Sequence, residues 1–360
     1  MNKIPKQILL IINPVSGRMK SATGLHEILD ELYRDDDREF VLPLTESEGD
    51  NTTPRRGIPQ AVSASHPLLS VGNAGRLGGA LNPNRRVTVV PTMYRGHASE
   101  LAAMAAEEGY DTVICCGGDG TFNETVEGLM TLEADRRPVL GYIPAGSTND
   151  FAASVGLGGS LREAARVSVG SHLSYLDVGH FCPLGLNHPP ARHFTYIASF
   201  GAFTSTSYST SQTAKNLFGH LAYLVAGIKD IGNIQPHHAA FDLPDGTHLE
   251  GDYIFGAVAN TTSAGGVLKL PSDAVSLSDG LMELFLIHMP KTPLDLQRTA
   301  TALLAQDFEG CPLIELHHVP SVRILMDENL SWSLDGEEAL GGRRIEIKCH
   351  HRAVQLKTHA

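Results

Sequence analysis

The sequence GGDGTFN at residues 117–123 joins a buried-strand pattern to an amphipathic helix pattern. Its glycines let the backbone come close to phosphate oxygens, and the N-terminus of the following helix offers unpaired N–H groups. Asp119 adds negative charge, so its expected task is to hold Mg²⁺ or a network of water molecules beside a triphosphate. The alternative is a tight turn in which Asp119 caps the helix. The pattern favours the phosphate site.

Two further strand patterns end in loops of the same kind. The sequence NPVSG at residues 13–17 follows the apolar run Gln7–Ile12, and AGSTND at residues 145–150 follows Val139–Ile143. Within the second loop, Ser147 and Thr148 can donate hydroxyl groups to a nucleotide, whereas Asp150 can cap the next helix. Open α/β sheets bind ligands at the carboxyl ends of their strands. The three loops therefore predict one polyphosphate cradle.

Each of two later segments could either carry part of the active site or form a simple turn. Ser276, Asp279 and the carbonyl group of Leu281 come close together around a tight turn, which suits Mg²⁺, but an Asp-Gly hairpin is equally compatible. The second segment, Asp335–Glu338, sets carboxylates on a turn after a strand. Its Asp-Gly pair by itself favours a hairpin over catalysis.

Other motifs are absent or incomplete. The sequence has no Walker A motif, no G-x-S-x-G elbow and no H-E-x-x-H zinc motif. Residues 72–79, GNAGRLGG, have G-x-x-G spacing and not the G-x-G-x-x-G of a dinucleotide fold. The 17 histidines show no ligand spacing and are expected to be surface or packing residues.

The predicted polyphosphate cradle requires a sheet that brings its three loops together. The first 155 residues show the alternating strand and helix patterns of such a sheet. Continuous apolar runs predict strands, and apolar residues at helical spacing predict helices between them, which indicates a doubly wound parallel sheet. From about residue 171 short strand patterns without regular helices predict an antiparallel β-sandwich, interrupted by one helix at 217–228. The predicted domains are 1–153 and 154–350, with 351–360 packing back on the first. The sandwich strands are His193–Phe200, Tyr253–Ala259, Leu281–His288 and Val322–Met326.

An atypical insertion occupies residues 45–86. It is rich in Gly, Pro, Asn and Ser and contains no Phe, Tyr or Trp, so it is a functional lid or partly disordered. Its arginines, Arg55, Arg56, Arg76, Arg85 and Arg86, suggest contact with anionic lipid headgroups.

Composition limits the classes of binding partner and the cellular compartment that we expect. The net charge of −12 argues against nucleic acid, which requires clustered positive charge. Five cysteines without a C-x-x-C pair predict a reducing, cytoplasmic compartment. The N-terminal apolar run is too short for a signal core, and no stretch reaches the ~18–20 apolar residues of a membrane span. A lipid substrate would be met at the inner membrane surface, with the enzyme peripheral. The oligomeric state is open, a homodimer being one alternative.

Taken together, these residues resemble the diacylglycerol kinase catalytic-domain family, specifically the soluble bacterial lipid kinases, which are related to sphingosine and NAD kinases. NAD kinases and phosphofructokinases share the G-G-D-G core, so the order of all the motifs makes the resemblance specific. The sequence departs from the family pattern at the insertion before Thr92. The motifs are Asn13–Gly17, Thr92 with His97–Ala98, Gly117–Asn123, Pro144–Ala152, Leu176–Gly179, Asp279–Leu281 and Asp335–Glu337.

The resemblance implies an N-terminal ATP-binding domain, a C-terminal β-sandwich and an active site in the cleft between them. It implies a structural Mg²⁺ at Ser276, Asp279 and Leu281. It makes Glu337 the acceptor of the substrate's hydroxyl proton, with Asp335 as the alternative acceptor, and it sets Asp177 in the adjacent network. The implied ATP contacts are Asn13, Pro14, Val15, Ser16, Gly17, Thr92, Gly117, Gly118, Asp119, Gly120, Thr121, Phe122, Asn123 and Ser147.

The expected activity is transfer of the γ-phosphoryl group of ATP to the hydroxyl of diacylglycerol or a similar lipid. One alternative is an NAD kinase-like or other small-molecule hydroxyl kinase. The other is a non-catalytic nucleotide-binding regulator, which the presence of Asp119, Asp177, Asp279 and Glu337 disfavours.

Overall fold

A computed structural model of the protein describes residues 6–20, 22–35, 80–81, 85–147, 149–185, 188–201, 235–260, 263–264, 268–269, 276–308 and 310–359. The chain forms two compact units, Met1–Ser174 with Val354–Ala360, and Tyr175–Ala353. Most of the insertion at 45–86 and the whole predicted helix at 217–228 lie outside the described residues. Over the described ranges, no helix is long and apolar enough to cross a membrane.

The first unit alternates strands and helices as the sequence predicts. Its strands β6, β5, β1 and β4 pair in parallel in that spatial order. Every residue of β1 after Gln7 is buried, because helices cover both faces of the sheet. In chain order the elements are β1 (Gln7–Ile12), α1 (Ala22–Tyr33), β2 (Arg34–Asp35), β3 (Ala80–Leu81), β4 (Arg86–Pro91), α2 (His97–Ala105), β5 (Thr112–Gly117), α3 (Asp119–Met130), β6 (Val139–Pro144), α4 (Asp150–Ser154) and α5 (Leu161–Val169).

Different helices cover the two faces. On one face, Ile8 and Leu10 of β1 share a core cluster with Ile28 of α1 and Ala165 of α5. On the other face, α3 packs against β5 and α2 packs against α3. Gly128 permits that second contact, since a Cβ atom there would lie 2.1 Å from the carbonyl oxygen of Ser99. The doubly wound prediction is confirmed.

The second unit is an antiparallel β structure, which confirms the sandwich prediction. Strands β15, β14, β11, β10, β16 and β17 are neighbours in that order; β9 also pairs with β11 and β16, and β7 with β8 and β17. Aromatic rings fill its core, Trp332 lying 4.9 Å from Phe200 and 5.2 Å from Phe181 between ring centres. The elements are β7 (Leu173–Pro183), β8 (Arg192–Phe194), β9 (Ile197–Gly201), β10 (His237–Asp242), β11 (His248–Ala259), β12 (Ser263–Ala264), β13 (Leu268–Lys269), β14 (Met282–His288), α6 (Pro293–Ala305), β15 (Ile314–Val319), β16 (Ser321–Leu334) and β17 (Glu337–Lys357).

Helix α6 departs from the prediction of strands without regular helices in this half of the chain. The hydroxyl of Thr292 accepts a hydrogen bond from the N–H of Asp295, and the carboxylate of Asp295 accepts one from the N–H of Thr292. Pro293 occupies the first turn. This capping box with an initial proline is visible in the sequence as T-P-L-D and is the signal that identifies the helix.

The observed unit boundary falls at Ser174, whereas the sequence suggested 153. Helix α5 lies between these positions and packs against α1 and β6. The chain also returns to the first unit at its end, where Leu356 of β17 pairs in parallel with Leu140 of β6. The Nζ atom of Lys357 then donates to the carbonyl oxygen of Gly170 at 2.7 Å.

Candidate active site

Asn13 joins the first two strand-end loops of the first unit. Its backbone N–H donates to the carbonyl oxygen of Cys116 at 2.8 Å, and its Nδ2 atom donates to the hydroxyl of Thr121 at 3.0 Å. Its Oδ1 atom accepts from the N–H of Val15 at 3.1 Å. Both ends of the side-chain amide are therefore engaged, which fixes the 13–17 loop against the turn between β5 and α3.

Two glycines bring the second and third loops into contact. A Cβ atom on Gly146 would lie 2.6 Å from the Cα atom of Gly118, so the two backbones touch where any larger residue would collide. The N–H groups of Ala145 and Gly146 both donate to the carbonyl oxygen of Gly117, at 2.8 and 3.2 Å. Gly120 is different, because nothing lies within 4 Å of a Cβ atom placed there. Its absent side chain leaves space beside the backbone.

The N-terminus of α3 opens onto these loops. Its N-cap residue is Gly118, which supplies no side-chain cap. Asp119 is the first helical residue, and its Oδ1 atom accepts from the N–H of Phe151 in α4 at 3.3 Å. The interpretation of Asp119 as the cap of α3 is therefore wrong. The helix end keeps the positive end of its dipole toward the loops.

The remaining predicted nucleotide residues lie at the same edge of the sheet, with one qualification. The N–H of Thr92 donates to the carbonyl oxygen of Ile12 at 2.8 Å, and a Cβ atom on Gly17 would lie 3.4 Å from the Oγ atom of Ser147. Phe122, in contrast, is fully buried and stacks on Phe151, with 4.2 Å between the ring centres. Only its backbone can face a ligand. Thr148 and the side chain of Asp150 lie outside the described residues.

In the second unit, Asp335 and Gly336 form the two-residue turn of the hairpin between β16 and β17, where Leu334 pairs with Glu337. Both turn residues have positive φ, 50° and 86°, as an Asp-Gly hairpin turn requires. The hairpin that the residue types predicted is present. It is also the element that carries the predicted proton acceptor.

The carboxylate of Asp335 is buried and fully engaged. Its Oδ2 atom accepts from the N–H and the hydroxyl of Thr195, at 2.6 and 2.8 Å. Its Oδ1 atom accepts from the N–H groups of Tyr196 and Ile197, at 3.0 and 2.9 Å. Burial raises the pKa of Asp335, while these four donors act in the opposite direction. The same bonds explain why the predicted strand at 193–200 is split into β8 and β9.

Glu337 lies beyond the turn and is only partly buried. Its Oε2 atom accepts from the Nη2 atom of Arg192 at 3.0 Å. The neighbouring Glu338 is held elsewhere, by the hydroxyl of Ser331 at 2.6 Å. Arg192 and Thr195 were not identified from the sequence, because each lies about 140 residues from its partner along the chain.

Asp177 has no solvent exposure and organises the predicted magnesium loop. Its Oδ2 atom accepts from the N–H of Gly280 and its Oδ1 atom from the N–H of Arg352, both at 2.6 Å. The Nδ2 atom of Asn260 donates to its carbonyl oxygen at 2.7 Å. Asp177 therefore fixes the 276–281 loop to Arg352 of β17.

The loop itself has the chemistry that Mg²⁺ prefers. The Oδ1 atom of Asp279 accepts from the N–H of Leu281 at 3.0 Å, which folds the loop around this exposed carboxylate. Ser276, Asp279 and Leu281 offer hydroxyl, carboxylate and carbonyl oxygens, a hard donor set that leaves positions for water. Within the described ranges, no three His, Cys, Asp or Glu side chains form a metal-binding group. The fit thus depends on a single carboxylate with neutral oxygens.

The chain matches the diacylglycerol kinase catalytic domain over residues 73–181 and the YegS C-terminal NAD kinase beta sandwich-like domain over residues 199–357. It belongs to the diacylglycerol kinase catalytic-domain family, a family of kinases. Diacylglycerol kinase of Bacillus subtilis is 30% identical over 272 residues, which cover 75% of this chain and 86% of the relative. A protein of Chromohalobacter salexigens named "Probable lipid kinase YegS-like" is 32% identical over 265 residues, covering 72% and 80%.

Solved structures share the fold. A diacylglycerol kinase from Bacillus anthracis superposes with a TM-score of 0.62 at 18% identity, covering 99% of this chain and 98% of that one. Yeast NADH kinase in complex with NADH superposes with a TM-score of 0.52 at 11% identity, covering 99% and 84%.

Proposed function

We propose that the protein transfers the γ-phosphoryl group of ATP to the hydroxyl group of diacylglycerol or a similar lipid, giving phosphatidic acid or an analogue. The observation that carries the proposal is the joined set of strand-end loops in the first unit. There the Asn13–Thr121 hydrogen bond and the Gly118–Gly146 contact gather three glycine-containing loops at the uncapped N-terminus of α3. Backbone N–H groups and a helix N-terminus are general devices for binding phosphate.

The nucleotide would be held by residues 13–17, Thr92, 117–123 and Ser147. Phosphoryl transfer needs positioning and charge neutralisation more than covalent catalysis. Mg²⁺ held by Ser276, Asp279 and Leu281 would supply positive charge and rigidity to its loop, and Asp177 would keep that loop in place.

The acceptor chemistry is assigned to Glu337. As the lipid oxygen forms its bond to the γ-phosphorus, the bond from that phosphorus to the β–γ bridging oxygen breaks and ADP leaves. Glu337 takes the hydroxyl proton during this step. The burial and the four hydrogen bonds of Asp335 support Glu337 over Asp335 as the acceptor, because both carboxylate oxygens of Asp335 already face donors inside the second unit.

The family and the names of the relatives support a lipid acceptor, and a lipid is available to such an enzyme at a membrane surface. We therefore propose peripheral binding to the inner membrane during turnover and a role in phospholipid synthesis.

The test is radiolabelled ATP with mixed micelles that contain diacylglycerol, monoacylglycerol, ceramide or sphingosine, with NAD as a soluble acceptor. We expect label in a lipid product with diacylglycerol or a close analogue, and loss of that label with EDTA. Labelling of NAD alone would identify the small-molecule kinase alternative. Nucleotide binding without turnover on any acceptor would identify the regulator alternative.

A further inference from the structure

Arg192 contacts the Asp335–Glu338 hairpin at two points. Its Nη2 atom donates to the Oε2 atom of Glu337, and its Nη1 atom donates to the carbonyl oxygen of Glu338, both at 3.0 Å. One guanidinium group thus binds the side chain of one residue and the backbone of the next. We infer that Arg192 is a positioning residue, which sets the direction of the Glu337 carboxylate; this inference rests on the proposed function.

The ion pair is poorly suited to stabilise the fold. The side chains of Arg192 and Glu337 are 29% and 30% exposed, and ion pairs at such sites contribute little to stability. The hairpin is already fixed by the buried carboxylate of Asp335, which accepts four hydrogen bonds. What those bonds leave undetermined is the rotamer of Glu337, a flexible side chain whose ordering has an entropic cost.

Arg192 is itself held in a defined place. It pairs with Phe181 across the β7–β8 ladder and lies three residues before Thr195, which binds Asp335. The segment 192–197 therefore contacts the hairpin at two places, at Asp335 through Thr195–Ile197 and at Glu337 and Glu338 through Arg192. Both contacts come from the same short stretch of backbone, so Glu337 is oriented relative to a fixed turn.

The geometry also distinguishes Glu337 from its neighbour. Side chains alternate direction along a strand, and the carboxylate of Glu338 accepts from the hydroxyl of Ser331. Arg192 therefore reaches only the backbone of Glu338. A planar guanidinium fork can bind a carboxylate and a carbonyl oxygen together, whereas the ammonium group of lysine acts as a compact point charge.

The first test compares Arg192→Ala and Arg192→Lys with the control Arg323→Ala. Arg323 pairs with Glu346 at 3.2 Å in the same unit and is an exposed cross-strand partner, so its loss reports the effect of removing a surface ion pair. With diacylglycerol micelles we expect Arg192→Ala to lower kcat about 10–100-fold with the KM for ATP unchanged, because the acceptor is misdirected. Arg192→Lys should recover part of kcat. Arg323→Ala should match wild type.

A double-mutant cycle tests whether Arg192 affects kcat through Glu337. If Arg192 acts through Glu337, then Arg192→Ala should lower kcat no further in a Glu337→Gln background. Independent, multiplying losses would overturn the inference. So would wild-type kcat in Arg192→Ala while Glu337→Gln is impaired, an outcome that leaves the proposed function intact.

A second measurement does not require the lipid. In crystal structures of the variants, the Glu337 carboxylate should leave its wild-type rotamer in Arg192→Ala and keep it in Arg323→Ala. An unchanged Glu337 rotamer in Arg192→Ala would overturn the positioning role even if no lipid were phosphorylated. A displaced Glu337 carboxylate without turnover on any acceptor would instead reject the proposed function alone.

Discussion

Thr195 binds Asp335 through two of its groups, since its backbone N–H and its hydroxyl both donate to the Oδ2 atom of Asp335. The N–H groups of Tyr196 and Ile197 occupy the other carboxylate oxygen. An acid in this state is a structural anchor for the turn. The next carboxylate along the chain, Glu337, is then the one presented from a rigid hairpin.

Replacing Asp335 should reduce stability. In Asp335→Asn, an NH₂ group replaces one oxygen and faces N–H or O–H donors, so buried donors lose their acceptor at about 1–3 kcal/mol each. We expect the free energy of unfolding to fall by roughly 2 kcal/mol or more, as measured by urea denaturation. Asp245→Asn is the matched control, because this hairpin-turn residue is exposed to water and accepts from the N–H of Thr247. A decrease in the free energy of unfolding no larger than that of Asp245→Asn would contradict the anchor role of Asp335.

The stability of Asp335→Asn relative to wild type should also depend on pH. Burial raises the pKa of Asp335 above its value in the unfolded chain, which is about 3.9. The group therefore contributes stability below that value, and the contribution is lost as pH rises through the folded-state pKa. Asparagine does not titrate, so the stability gap between wild type and Asp335→Asn should narrow from about pH 4 to pH 7. A widening gap would show that the folded-state pKa is depressed.

Glu337→Gln should impair chemistry and spare nucleotide binding. Loss of a general base typically lowers turnover ~10²–10⁴-fold, whereas the predicted nucleotide loops belong to the other unit and are unaltered. The measurement is kcat with a phosphorylated lipid product, alongside the Kd of a non-hydrolysable ATP analogue. Glu338→Gln is the control, an adjacent glutamate whose side chain binds Ser331. Wild-type turnover in Glu337→Gln would remove this residue from the mechanism.

Three glycine substitutions separate folding from phosphate binding. Gly146→Ala places a Cβ atom 2.6 Å from the backbone of Gly118 and should destabilise the loops and weaken ATP binding together. Gly120→Ala meets nothing within 4 Å, so thermal stability should hold while the methyl group obstructs the approach of phosphate. Gly158→Ala also meets nothing within 4 Å and serves as the control. ATP binding in Gly120→Ala equal to that of Gly158→Ala would move the phosphates away from this helix end.

The magnesium loop makes a prediction about metal removal. If Ser276, Asp279 and Leu281 hold the ion, adding Mg²⁺ to EDTA-treated protein should raise the Tm, because a ligand that binds only the folded state stabilises it. Asp279→Ala should abolish that increase. Asp242→Ala, which removes an exposed carboxylate elsewhere in the same unit, should keep it. Equal Mg²⁺ responses in all three proteins would place the ion elsewhere.

Local patterns predicted the first unit well because its signals are short-range. The continuous apolar run Gln7–Ile12 became β1 with the predicted bounds, and the parallel order of β1, β5 and β6 gathers their terminal loops at one edge. Asp335-Gly336 likewise formed the turn that its residue types favour. In each case the chemistry of a few adjacent residues was sufficient.

Local sequence patterns could not identify contacts between residues that lie far apart along the chain. The Arg192–Glu337 contact spans 145 residues and depends on the registers of β8, β7 and β17, which no local signal encodes. Phe122 lies in a glycine-rich motif that is predicted to contact ATP, but its ring is fully buried in the core, so only its backbone can face a ligand. Motifs identify a segment, but packing decides which atoms of the segment are accessible.

The first unit is built from two separate segments of the chain, with Leu356 pairing beside Leu140 of β6. The strand that flanks β6 therefore leaves the ribosome only after the whole of the second unit. A nascent chain halted before residue 354 would leave that side of β6 unpaired, the kind of edge that recruits foreign strands. The sheet of the first unit can thus be completed only after the second unit has been synthesised.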